Sequence, residues 1–76
     1  MYNLKEERPQ MEKYRLTPRQ IEVLEYLALG LQNKQIAHEM GISISTVKLH
    51  LNGIYMRLRV SNRVQALLRA REENII

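Results

Sequence analysis

The sequence predicts an all-α domain of four helices, and three observations carry that prediction. From Leu16 onward apolar residues recur at three- and four-residue spacing, the period of one helix face. Short polar residues stand before four such runs, at Thr17, Asn33, Ser43 and Asn62, where helices take their N-caps. Gly30 and Gly41 follow two of the runs, where a left-handed residue closes a helix. Strand-like alternation, internal repeats and low-complexity tracts are absent from the sequence.

Residues 1–15 mix charges, are broken by Pro9 and show no sustained apolar period, so they read as an arm or linker. Leu4, Met11 and Tyr14 are the arm residues suited to pack on the domain, which is expected over 16–76. Thr17-Pro-Arg-Gln20 then forms a capping box, with Pro18 at the first helical position, where its missing N–H costs nothing. Leu16 and Ile21 are spaced as a hydrophobic staple, and Ile21, Leu24, Leu27, Ala28 and Leu31 continue the face. The first helix is therefore placed at about 18–29. Asn33 is expected to cap a short second helix that buries Ile36, Ala37 and Met40 and ends at Gly41. Ser43 is expected to cap a third helix running to Leu58, with Val47, Leu51, Ile54 and Leu58 on its inner face. Asn62, with Gln65 three residues on, marks a fourth helix that turns Val64, Leu67 and Leu68 inward.

The second and third helices are joined by Gly41-Ile42-Ser43, a turn short enough to make them cross steeply as a helix-turn-helix. Small Ala37 permits a close crossing, and Ile42 is placed to plug the angle. An ordinary helical hairpin shares each of these features singly. At 100° per residue, Ser45, Leu49, Asn52 and Met56 fall opposite the inner face of the third helix, with Lys48 beside them. A cation, an apolar side chain and a carboxamide on the N-terminal half of such a helix suit the edges of DNA bases. Lysine donates to guanine acceptors, asparagine pairs with adenine, and an apolar group meets the thymine methyl.

Composition narrows the partners. The chain has 76 residues, so it forms one small domain burying only about 60% of the surface it exposes unfolded. It has no cysteine, hence no disulfide framework and no Cys-based zinc site, and this suits a reducing cytoplasm. No apolar run approaches the ~20 residues of a membrane span. Net charge is +4, and its placement says more than its total. Lys48, Arg57, Arg59, Arg63, Arg69 and Arg71 fall between Gly41 and Arg71, a stretch with no acidic residue. Such a stretch can track a polyanion, although a merely solvated basic face has the same composition.

The blocks Leu16-Thr-Pro-Arg-Gln-Ile-Glu-Val-Leu24, Asn33-Lys-Gln-Ile-Ala37, Ile42-Ser43, Thr46-Val-Lys-Leu-His50 and Val60-Ser-Asn-Arg63 resemble the LuxR/GerE-type helix-turn-helix domain. That domain is also the output module of the NarL/FixJ class of response regulators. The resemblance spans about residues 16–72, in order and spacing. It implies a cytoplasmic bacterial domain that binds double-stranded DNA, regulates transcription and pairs as a homodimer, at least on DNA, through its last helix. It places base contacts on Lys48, Leu49 and Asn52, and phosphate or groove-flanking contacts on Asn33, Lys34, Thr46, His50 and Arg63. Asn33 and Lys34 also open a helix, where free amides and the dipole favour an anion. His50 lies beside the inner face, so a structural role and a phosphate contact are both open to it. Arg57 and Arg59 are open to backbone contacts or to plain solvation. Two departures stand out: Gln20 and Gln35 occupy positions where the family usually or commonly has Glu.

Other functions fit less well. An enzyme is not expected, since the sequence lacks a cysteine nucleophile, a glycine-rich phosphate loop with lysine, and paired carboxylates near a histidine. No cofactor is expected, and His38 and His50 without a carboxylate cluster suggest no metal site. Four tyrosines as the only aromatics argue weakly for RNA stacking. The rival of another class is a protein-interaction module, whose apolar contacts would be Leu49, Met56 and Ile75-Ile76. A promoter reader acting with RNA polymerase is a third reading. Ala66, Leu68 and Ala70 on the fourth helix are the candidate dimer interface, with a core role for Leu68 as the alternative.

Overall fold

The computed structural model describes residues 12–76, and among them four helices and no strand are found. They are α1 (Pro18–Ala28), α2 (Asn33–Met40), α3 (Ile44–Leu58) and α4 (Arg63–Glu72). Helix α3 is the hub: α1, α2 and α4 all pack on it, and α1 also touches α4. The side chains of Ile21, Leu24, Ile36, Val47, Ile54 and Leu58 are completely buried between them. This inner face of α3 is the one expected from its periodicity.

The helix starts follow their caps. Thr17 Oγ1 accepts from the Gln20 amide at 3.1 Å, and Gln20 Oε1 accepts from the Thr17 amide at 2.9 Å. Ser43 Oγ accepts from the Thr46 amide at 3.0 Å, and Asn62 Oδ1 from the Gln65 amide at 2.9 Å. Two start signals act differently from expectation. The cap of α2 is Gln32, whose amide donates to Gln35 Oε1 at 2.8 Å, and Asn33 is already helical. Gln65 reaches past the cap to take the Ser61 amide at 2.8 Å.

The helix ends share one device. Gly30, Gly41, Arg59 and Asn74 are left-handed, with φ of 85°, 67°, 57° and 57°. Each next residue donates its amide five residues back: Leu31 to Tyr26, Ile42 to Ala37, Val60 to Tyr55 and Ile75 to Ala70, at 2.8–3.1 Å. In this Schellman arrangement the residue after the left-handed one turns back onto the helix. Here Leu31, Ile42, Val60 and Ile75 all pack into or against the core. Arg15, with φ 56°, repeats the left-handed step ahead of buried Leu16. The five turns thus drive aliphatic side chains inward.

Helix α4 is rotated relative to its expected phase. Its inner residues are Ala66 and Ala70, both fully buried, while Val64 is 65% and Leu68 56% exposed. Small residues let α4 lie close to its neighbours, and Leu67 fills the margin. Ala66 and Ala70 are therefore core residues and offer no surface to a partner. Ile75 is fully buried and Ile76 packs beside it, so neither is a free apolar contact. Tyr14 packs against the core, and Lys13 Nζ lies 3.5 Å from Glu73. Leu4 and Met11 lie outside the described residues.

Candidate nucleic-acid interface

The turn between α2 and α3 is fixed from three sides. Gly41 ends α2 in the left-handed conformation, Ile42 folds back on the core, and Ser43 opens α3. From α1, Arg19 Nη2 approaches the Met40 carbonyl at 3.5 Å while its Nη1 bonds Glu22 at 3.1 Å. With Val47 and Leu51 locked inward, the register of α3 decides what faces out.

Lys48, Leu49 and Asn52 all face solvent, as expected, with Leu49 69% exposed. Among the described residues none is hydrogen-bonded or ion-paired to Lys48 or Asn52, so both polar ends are available to a ligand. Lys34 projects from the first turn of α2 and lines an open depression with Leu31, Gln35, His38 and Glu39.

The expected phosphate set is not uniform. Arg63 Nη2 donates to Asn33 Oδ1 at 3.0 Å and to the Leu31 carbonyl at 3.2 Å. This clamp ties the start of α4 to the α1–α2 turn across thirty residues, and it occupies the Asn33 oxygen. The Thr46 hydroxyl lies 2.9 Å from Ser43 Oγ at the start of α3. His50 is half-buried. Lys34 is thus the exposed and uncommitted cation of that set.

Three arginines hold carbonyls near helix ends: Arg63 at Leu31, Arg19 at Met40, and Arg69 Nη1 at Leu58, 2.9 Å away. Lysines and arginines at helix C-termini oppose the dipole and satisfy free carbonyls. No sequence signal announces these contacts, because the partners lie 11 to 32 positions apart. Part of the positive charge therefore frames the turns. Among the described residues no group of three or more His or Glu residues is placed to hold a metal, and no helix is long and apolar enough to cross a membrane.

Residues 14–70 match the family model of bacterial regulatory proteins, luxR family. The chain belongs to the luxR family. This luxR-family chain is 49% identical over 55 residues to the glycerol metabolism activator of Pseudomonas putida, covering 72% of the chain and 25% of the relative. It is 41% identical over 61 residues to the response regulator protein VraR of Staphylococcus aureus (strain Mu3), covering 80% and 29%. The crystal structure of the response regulator ChrA of a heme-sensing two-component system superposes with a TM-score of 0.79 at 46% identity, covering 80% of this chain and 30% of that one. The luxR-family chain thus spans less than a third of the length of each of these relatives.

Proposed function

We propose that this chain is the DNA-binding part of a bacterial transcription regulator and reads a specific duplex sequence by laying α3 in the major groove. The observation that carries the reading is the uncommitted outward face of α3, where Lys48, Leu49 and Asn52 stand together on a helix fixed by its buried opposite side. Lys48 suits guanine O6 and N7, Asn52 suits adenine N6 and N7, and Leu49 suits a thymine methyl. Lys34 meets a phosphate at the groove wall, with Asn33, Thr46, His50 and Arg63 flanking it. Of these, Arg63 serves mainly by holding Asn33 and the α1–α2 turn in place. The DNA-binding domain covers 16–76; of the arm expected over 1–15, residues 1–11 lie outside the described residues, while Lys13 and Tyr14 pack on the domain.

The domain works as a homodimer on DNA, through exposed Val64 and Leu68 of α4, and RNA polymerase is a second partner, all in the cytoplasm. One recognition helix covers a few base pairs, so two half-sites about 34–36 Å apart supply the specificity that one lacks. Selection of bound duplexes from a random pool, followed by footprinting, tests the proposal. A two-half-site consensus with steep salt dependence is expected. Equal affinity for every duplex would leave α3 without a reading role.

A further inference from the structure

The C-terminal end of α3 opens onto a cleft of about 510 Å³ whose lining includes Lys13, Arg15, Met56, Arg57, Arg59 and Arg69, with no carboxylate among the described lining residues. Two of its cations are already matched at the rim: Lys13 by Glu73 at 3.5 Å and Arg69 by Glu72 at 3.8 Å. Among the described residues Arg15, Arg57 and Arg59 have no ion-pair partner. Backbone conformation singles out the same place. Of the five left-handed turn residues among the described ones, Gly30, Gly41 and Asn74 are types that adopt that conformation readily. The other two are Arg15 and Arg59, and both line this cleft. A backbone outlier held by a bulky residue argues for a use of its side chain.

We propose that this cleft is a second DNA-phosphate site, which extends the contact beyond the bases read by α3; the proposal rests on α3 lying in the major groove. Met56, 79% exposed, continues the outward line of Leu49 and Asn52 down α3 to the cleft. At 1.5 Å per residue, Met56 to Arg59 lie about 6–10 Å along the axis from Asn52. The major groove is about 12 Å wide, scarcely wider than a helix with its side chains, so a strand bounding it falls within reach of arginines on the helix seated there. Arginine forks match phosphate oxygens two at a time. An acidic protein segment would satisfy the same charges. Phosphate is favoured by continuity with the reading face, through Met56 at the cleft edge.

The test uses the whole chain, with Arg59→Gly and Arg57→Gln, on random-sequence duplex DNA between 50 and 200 mM salt. Glycine relieves the left-handed backbone, so Arg59→Gly is expected to keep or raise Tm while it weakens binding. Loss of one phosphate contact should make the wild-type advantage shrink about 3.5-fold over that fourfold rise in salt. Arg57→Gln, inside the helix and exposed, should behave alike, and the double variant should roughly square the effect. Wild-type binding with unchanged salt slopes in both variants overturns the cleft proposal and spares the reading of α3. A polyglutamate peptide bound by wild type and lost in both variants, with DNA slopes unchanged, overturns it in favour of an acidic segment. Absence of wild-type binding to any duplex removes both readings together.

Discussion

Gln20 occupies the space that a side chain on Gly53 would need: a Cβ at Gly53 would sit 2.6 Å from Gln20 Nε2. The other end of that carboxamide closes the capping box of α1 on the Thr17 amide. The start of α1 is therefore seated on the middle of α3, and glycine at 53 is what permits it. Mid-helix glycine costs about 0.5–1 kcal/mol relative to alanine.

Gly53→Ala sets two effects of similar size against each other. Helix propensity improves by about 1 kcal/mol, and displacing Gln20 forfeits a hydrogen bond of about 0.5–1.5 kcal/mol. The single variant should lie within about 1 kcal/mol of wild type in urea unfolding, where the two estimates nearly cancel. In a Gln20→Ala background the same change should stabilise by about 1 kcal/mol. Equal effects in both backgrounds would mean that the two residues are not coupled.

Lys48→Ala and Asn52→Ala should each weaken binding to the selected site by ~1–3 kcal/mol and change binding to random duplex less. Lys34→Ala should instead lower affinity on all sequences and make the salt slope shallower by about one unit. Titrations on both duplexes at several salt concentrations separate the classes. A uniform loss for Lys48→Ala would move that residue among the phosphate contacts.

Arg63 belongs to a different class from Lys34. Its guanidinium bonds Asn33 and the Leu31 carbonyl, so Arg63→Ala should destabilise the fold by about 1–2 kcal/mol, reduced from the usual worth of two charged hydrogen bonds by partial solvation. Arg63→Lys keeps the charge and loses the planar fork, so it should remain destabilised while recovering nonspecific DNA affinity. Unfolding curves unchanged from wild type in both variants would return Arg63 to a plain phosphate role.

Much of this was legible in the sequence because short capping side chains and aliphatic periods are strong local signals. Thr17, Ser43 and Asn62 cap where their chemistry says, and Val47, Leu51, Ile54 and Leu58 supply the buried face that leaves Lys48, Leu49 and Asn52 outside. What stayed hidden depends on competition at the cap and on neighbours distant in sequence. Gln32 took the cap of α2 because Gln35, three residues on, bonds its amide, while Asn33 answered Arg63 from α4, thirty residues away. In α4 the hydrophobicity of Val64 and Leu68 outweighs that of Ala66 and Ala70 on paper. Close helix packing selects the smaller pair, and a phase drawn from hydrophobicity alone then turns the helix the wrong way.

That rotation gives assembly its sharpest test. Val64 and Leu68 are four residues apart on α4 and both more than half exposed, so they form one apolar stripe. The stripe borders an open groove whose other lining residues are Leu27, Gly30, Leu31 and Leu67, with Gln32 and Arg63. Such a surface is small, which suits a dimer weak in solution and favoured when both copies sit on DNA. Leu68→Asp should keep its helicity and stay close to wild-type stability, because surface substitutions usually fall within about 0.5 kcal/mol. It should abolish cooperative occupancy of a two-half-site duplex and spare binding to a single half-site. Ala70→Leu is the opposite control: the site is fully buried, so overpacking should destabilise by about 1–3 kcal/mol whatever DNA is present. Circular dichroism with DNA titrations reads both outcomes. Cooperativity that survives Leu68→Asp places the pairing surface elsewhere than α4.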